Sequence, residues 1–403
     1  MKVLQINSVY GIGSTGRIAQ DLNNLLIEKG YQSYVAYGRE SITEDNNVIR
    51  IGSKFDNYFH VAVTRLLDRH GFASKRATKE LIKKIDEINP NIIHLHNIHG
   101  YYVNIKILFD YLKENNKKVV WTLHDCWSFT GHCSYFDYVG CENWKTKCQN
   151  CPQKKEYPAS YFIDNSKKNY IDKKIIFNKL DDNNLIIVTP SDWLADLVKK
   201  SFLKNYKIKV INNGIDLDQF RPLKTDFKED HNIRNKLIIL GVASKWTKRK
   251  GLKYFIDLAN KLDDNKVIVL VGLSKNQKNK LPKNIIGIER TNDVKELIEI
   301  YSAADVFLNP TLEDNFPTTN LEALACGTPV ITFNTGGSVE SVNNNVGRIV
   351  EKGDINSIIK IVNNLYTGKL IFIPKICAEF AKNNFDKYER YNDYLNLYNS
   401  LNK

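Results

Sequence analysis

Two doubly wound α/β domains, each built on a parallel sheet and facing a central cleft, are what this sequence predicts. Three observations point there. Short apolar runs alternate with amphipathic helical segments, the pattern of β-α-β units. That alternation runs from Val3 to about Gly214, lapses through the polar stretch Lys224–Arg234, and restarts at Leu237. The chain has 403 residues at 42% hydrophobic and 11% aromatic content, ample for two soluble cores.

The first strand, Val3–Ile6, leads into Gly11-Ile-Gly-Ser-Thr-Gly16 and a helix expected from about Arg17 to Lys29. Glycines spaced G-x-G-x-x-G after a strand let backbone approach a ligand closely. A dinucleotide site also requires an acid closing the second strand to hold a ribose. Here that strand, Ser33–Tyr37, ends in Gly38-Arg39 with Glu40 beyond it, which argues against a nicotinamide dehydrogenase. Residues 54–86 read as a helix pair carrying Arg65, Arg69, Lys75, Arg76, Lys79, Lys83 and Lys84 beside Phe55, Phe59, Leu66 and Leu67. Such a surface suits either solvent or an anionic membrane. Strands Ile92–His96 and Val119–Leu123 each end in polar groups, Asn97 and His99 after one, His124 and Asp125 after the other. Open α/β sheets bind ligands at that strand edge. Ser191 is placed to cap the helix that opens at Asp192.

Seven cysteines are present, five of them between Cys126 and Cys151. Cys133, Cys141, Cys148 and Cys151 have the number and residue type for tetrahedral structural zinc within an insertion at about 126–152; free thiols are the alternative. The 58 basic and 45 acidic residues leave a net charge of +13, spread over Lys/Asn-rich loops. Without an arginine-rich arm or stacking aromatics, that charge points to phosphate-bearing substrates or an anionic membrane surface, and no nucleic-acid partner is expected. Met1–Ile6 reads as strand rather than leader, and no apolar run reaches eighteen residues, so the expected location is cytoplasmic, peripheral at the inner face of the cell membrane.

The second domain repeats the scheme, with strands at Leu237–Val242, Val267–Val271 and Ile285–Ile288. The loop after its first strand, Ser244-Lys-Trp-Thr-Lys-Arg-Lys-Gly251, offers cations where a diphosphate leaving group builds charge. Between strands Asp305–Leu308 and Val330–Phe333 lies a loop that opens a helix near Thr319–Leu321, with Asp314 in the loop and Glu322 expected in the first turn. Helix amides favour phosphate and the acids favour sugar or ribose hydroxyls, a combination suited to a nucleotide sugar.

In this order the N-terminal glycine loop, His124-Asp125, Pro190-Ser191-Asp192-Trp193, Asn213-Gly214-Ile215-Asp216, Arg249-Lys250-Gly251 and the 309–330 stretch resemble the family four retaining glycosyltransferases of the GT-B fold, over nearly the whole chain. Glu313-Asp-Asn-Phe-Pro317 and Trp127-Ser-Phe-Thr-Gly-His-Cys133 are similar to enzymes of bacterial surface-polysaccharide synthesis (capsule, exopolysaccharide, O-antigen). The resemblance implies Rossmann-like domains at 1–222 (acceptor) and 223–384 (nucleotide sugar), with 385–403 a helix crossing back to the first. It implies catalytic roles for His124, Lys250, Asp314 and Glu322: Glu322 on the donor ribose, Asp314 or its neighbour Glu313 on sugar hydroxyls, Lys250 on the diphosphate, His124 near the reacting carbon. Lys245 or Arg249 would partner Lys250, while Gly13, Ser14, Thr15 and Gly16 and the backbone of Asn315, Phe316, Pro317 and Thr318 would bind the donor. The implied reaction moves a hexose-type sugar, with retention and no catalytic metal or other cofactor, from a nucleotide-diphosphate sugar to a hydroxyl of a saccharide or lipid-linked saccharide. A non-catalytic or differently catalytic sugar-nucleotide protein, such as an epimerase, is the alternative.

Overall fold

The computed structural model describes residues 1–41 and 47–402. It divides into two compact units, Met1–Asn212 with Tyr391–Lys403, and Asn213–Arg390. Each unit carries one parallel sheet. In the first, β1 (Lys2–Tyr10), β2 (Gln32–Ser41), β3 (Val48–Arg50), β4 (Ile92–Leu95), β5 (Lys118–Thr122), β6 (Leu185–Thr189) and β7 (Lys207–Val210) lie in the order β3-β2-β1-β4-β5-β6-β7. In the second, β8 (Leu237–Val242), β9 (Lys266–Val271), β10 (Ile285–Ile288), β11 (Val306–Asn309), β12 (Val330–Phe333) and β13 (Gly347–Val350) lie in the order β10-β9-β8-β11-β12-β13. β4, β9, β11 and β12 are buried at every residue, as expected of strands covered on both faces. Both orders reverse at one point, between β1 and β4 and between β8 and β11. Loops leaving such a pair diverge and open a crevice at the carboxyl edge.

The cores follow from strand alternation. Leu4, Ile6, Ile93, Leu95, Trp121 and Phe109 fill one side of the first sheet. Val3, Ile92, Val120 and Val188 on its other side close against Leu22 of helix α1 (Gly13–Glu28) and against Tyr394 and Tyr398. The second unit packs Ile238, Leu240, Val269 and Phe307 beneath Leu321 and Leu324. Among the described residues no helix is long and apolar enough to cross a membrane.

Two expectations shift. Helix α1 begins at Gly13 rather than Arg17, because Gly11 N–H donates to Gly16 O (2.9 Å) and Asn7 Nδ2 donates to Thr15 O (3.1 Å), closing the turn early. The boundary between units falls at Asn212/Asn213, ahead of residue 222, and the expected linker contains a short helix, Phe227–Asp230. The C-terminal helix, expected over 385–403, runs over Lys387–Leu401 and is separated at Asp386 from a preceding helix, Pro374–Phe385. Asn213-Gly214-Ile215-Asp216 causes that break: Ile215 N–H donates to Phe385 O, Lys387 N–H donates to Ile215 O, and Lys387 Nζ reaches Asp216 Oδ2 at 2.7 Å. A Cβ at Gly214 would stand 2.4 Å from Lys387 Cα, which is why a glycine sits there. The helix pair expected over 54–86 is present as α2 (Lys54–Leu67) and Lys75–Ile88, with Phe55, Phe59, Leu66 and Leu67 exposed on α2.

The last helix is fixed by polar contacts inside the first unit's core. Tyr398 Oη lies 2.6 Å from His94 Nδ1, His94 Nε2 lies 2.8 Å from Thr122 Oγ1, and Thr122 Oγ1 lies 3.1 Å from Tyr394 Oη. All four residues are buried. Removing one hydroxyl strands a buried partner, so Tyr398→Phe should lower unfolding stability by about 1–3 kcal/mol in urea titration, well above the effect of Tyr388→Phe on the exposed side of the helix.

Candidate active site

The reversal between β8 and β11 brings two loops together at the carboxyl edge of the second sheet. Leu312 N–H donates to Arg249 O (2.8 Å), and Gly251, at φ +78°, approaches so closely that a Cβ would lie 2.2 Å from Pro310 O. This contact holds the basic loop against the acidic one. Lys250 Nζ then stands 2.6 Å from Asp314 Oδ2, and Arg249 Nη1 stands 3.5 Å from the same oxygen and 2.5 Å from Glu313 O. Lys245 is exposed and outside this group, so Arg249 is the cation beside Lys250. Burial pushes the Asp314 carboxyl up, but the Lys250 ammonium and the Arg249 guanidinium outweigh it and hold the group below the usual carboxylate range. Glu313 is fully buried.

The following helix, Thr318–Ala325, starts next to the position expected and has no side-chain cap. Glu322 therefore falls in the second turn, a correction to its expected place in the first. It is 8% exposed, and Tyr301 donates to its Oε2 at 2.8 Å. Beneath the helix start, Asn320 Nδ2 donates to Ser341 Oγ (2.9 Å) and Asn320 Oδ1 accepts from Asn309 (2.8 Å), pinning helix to strand. Gly337 N–H donates to Asp314 O and Asn315 N–H to Asp314 Oδ1. Asn315 and Phe316 are buried, and Phe316 O accepts from Asn213 Nδ2.

In the first unit the reversal lies between β1 and β4. Gly13 and Ser14 at the start of α1 are exposed, Thr15 is partly so, and no side chain caps the helix. Gly16 is buried against Val9 and Gly11, where a Cβ would meet Val9 Cγ2 at 3.1 Å. His124 stacks on His96 with Nε2 3.2 Å from His96 Nδ1, and Gln5 Oε1 lies 3.0 Å from His96 Nε2. Burial takes the His124 imidazole down to about 4 despite the pull of Asp125, so the ring is neutral at neutral pH. Asp125 serves a different histidine: its Oδ2 is 2.9 Å from His99 Nε2, and Tyr157 Oη lies 3.0 Å from His99 Nδ1. His96, His99, His124 and Asp125 line one small cavity.

Residues 15–219 match the model of glycosyltransferase family 4, and residues 224–386 match that of glycosyl transferases group 1. The chain belongs to glycosyltransferase family 4. It is a transferase by that membership. An Escherichia coli K12 protein assigned as a colanic acid biosynthesis glycosyl transferase, WcaC, is 25% identical over the full length of both chains. A UDP-Gal:α-D-GlcNAc-diphosphoundecaprenol α-1,3-galactosyltransferase of Escherichia coli is 30% identical over 50% of this chain and 56% of its own. Among solved structures, a Thermosynechococcus elongatus sucrose-phosphate synthase superposes with TM-score 0.73 at 16% identity, covering 99% of this chain and 98% of its own. Anabaena HepE in complex with UDP does so with TM-score 0.66 at 15% identity, covering 99% and 100%. The fold is thus GT-B, two parallel-sheet α/β domains.

Two further features of this glycosyltransferase lie outside what its sequence marks. Tyr301 was legible only as a core aromatic of its helix, and nothing in its spacing marks it as the partner of Glu322. The four cysteines do converge, since Cys133, Cys141, Cys148 and Cys151 line one cavity with His132. Among the described residues no three His, Cys, Asp or Glu side chains are disposed to hold a metal ion. Cys148 Sγ accepts from Gly131 N–H at 3.2 Å, and the Cys133 thiol hydrogen-bonds Cys151, favouring the Cys151 thiolate.

Burial holds five histidines, His60, His70, His94, His96 and His124, below their ordinary titration range. Once unfolded they bind protons near pH 6.5, whereas folded His124 waits until about 4 and His60 until about 3. The unfolded chain therefore holds more protons through that window, and stability rises with pH across it. Urea midpoints should fall steadily from pH 6.5 to about 4; a flat profile over that range would contradict these assignments.

Proposed function

We propose that this glycosyltransferase moves a hexose-type sugar from a nucleoside-diphosphate sugar to a hydroxyl of a lipid-linked saccharide, with retention of anomeric configuration, in surface-polysaccharide synthesis. The observation that carries the donor reading is the Arg249–Lys250–Asp314 group at the β8/β11 reversal, beside an uncapped helix start. A diphosphate entering there would take over the two cations and release Asp314 to accept from sugar hydroxyls. Glu322, oriented by Tyr301, is assigned to the ribose hydroxyls. Lys250 and Arg249 would neutralise the charge that grows on the leaving diphosphate. In the first unit, the exposed amides at Gly13 and Ser14 are assigned an anion-binding role and neutral His124 a hydrogen bond to a sugar hydroxyl. The names of the relatives support the substrate classes, one being a transferase from UDP-Gal to a diphosphoundecaprenol-linked sugar and another an O-antigen biosynthesis glycosyltransferase.

A panel of nucleotide sugars scored by thermal shift identifies the donor, since a ligand at a hundredfold over Kd adds about 2.7 kcal/mol to stability. With that donor, Lys250→Ala should cut kcat by roughly 10²–10³ while circular dichroism stays that of the parent; unchanged turnover would remove Lys250 from the site. NMR of the product should show the donor's anomeric configuration, and inversion would refute retention. Because side-chain cations take the role of a metal at the diphosphate, transfer should persist when divalent ions are removed with EDTA. Loss of turnover restored by magnesium or manganese would contradict that assignment.

A further inference from the structure

Helix α2 places its apolar stripe outward. Phe55, Tyr58, Phe59 and Leu66 recur at helical spacing with Ala62 between them, and they are 77%, 72%, 55% and 50% exposed. The opposite side of the helix holds its two buried residues, His60 and Thr64. An amphipathic helix normally turns such a stripe to the core; here polar residues anchor the helix and aromatic ones leave the protein. A second segment, Tyr161-Phe-Ile163, is also exposed, Phe162 at 72%. It is fastened to the end of α2: Tyr161 N–H donates to Arg65 O (2.9 Å), Ser160 Oγ donates to the same carbonyl (3.3 Å), and Asn165 Nδ2 donates to Leu67 O (2.8 Å).

The charges around these segments have one sign. Lys54, Arg65 and Lys167 are exposed, as is Lys168, which also lies 3.6 Å from Asp172. The acids of the same segments are turned to other work: Asp56 closes the capping box with Ser53, buried Asp68 holds His132, and Asp164 accepts from Cys151 and Ser166. Protruding aromatic rings rimmed by lysine and arginine match the boundary between acyl chains and anionic headgroups. The arrangement also relocates the basic face read from the sequence, for Arg69 is paired with Asp172 and Lys83 and Lys84 with Glu80 and Glu87.

We infer that α2 and the 160–165 segment form a docking surface for an anionic lipid bilayer, with Phe55, Tyr58, Phe59 and Phe162 entering the headgroup boundary. For its purpose the inference rests on the proposed lipid-linked acceptor, which such docking would bring within reach.

The test is co-sedimentation of the full chain with vesicles of phosphatidylcholine alone and of equal parts phosphatidylcholine and phosphatidylglycerol. The parent should pellet with the anionic vesicles and much less with the neutral ones. The double variant Phe55→Ser/Phe162→Ser, altered only at exposed positions, should lose roughly tenfold or more in anionic partitioning. Its transfer to a tail-less saccharide acceptor should match the parent's, which separates failure of docking from failure of the proposed reaction. Failure of the parent to pellet, equal partition onto both vesicles, or undiminished binding by the variant would each overturn the inference. A dimer on gel filtration that the double variant abolishes, without vesicle binding by the parent, would instead assign the surface to a second copy of the chain.

Discussion

The second unit is organised around one largely buried ion pair. Lys250 and Asp314 have side chains only 22% and 13% exposed, and Arg249 completes the group at 17%. Charges withdrawn from water are costly unless they are paired and hydrogen-bonded, so the two loops must meet at one spacing. That requirement explains features that otherwise look unrelated. Gly251 is needed for the close approach to Pro310, and Gly336 for the approach to Asp314 O, where a Cβ would stand 2.2 Å away. Asn320 anchors the following helix through Ser341 and Asn309. The strand reversal supplies the crevice, and the backbone contacts set the distance between the charges.

A pair held this way is weak evidence of stability for its own sake, because its desolvation cost offsets much of the attraction. It makes better sense as a held arrangement of charges. Two cations are kept beside an uncapped helix start and share the single carboxylate of Asp314. The first unit uses a different device. Five of its histidines are held neutral by burial, and short chains tie His124 to His96 to Gln5 and His94 to Tyr398, so these rings offer hydrogen bonds without charge.

Much of this was legible in the sequence, and the parts that were not share a physical cause. Buried parallel strands show themselves as apolar runs, so β8, β11 and β12 were readable within a residue or so, as was the Ser191 cap, which accepts from Leu194 N–H. The basic loop and Asp314 were readable because both follow strands at a carboxyl edge. Which cation accompanies Lys250 was not, since the choice between Lys245 and Arg249 depends on the loop's fold, and Trp246 turns that loop by donating to Val271 O. Tyr301 stayed hidden because its contact with Glu322 spans separate helices. The cysteines showed proximity by their crowding, but spacing along a chain does not specify where each sulfur points. The stripe of α2 was legible as an amphipathic face, but its exposure was not, because periodicity reports a face and not what covers it.

The central claim is that Asp314 competes with the donor's diphosphate for Lys250 and Arg249 and then serves the sugar. Calorimetric titration of Asp314→Asn with a nucleoside diphosphate and with the matching nucleotide sugar addresses it directly. The account predicts that the variant binds the nucleoside diphosphate at least as tightly as the parent and loses affinity only for the nucleotide sugar. Equal weakening toward both ligands would contradict it.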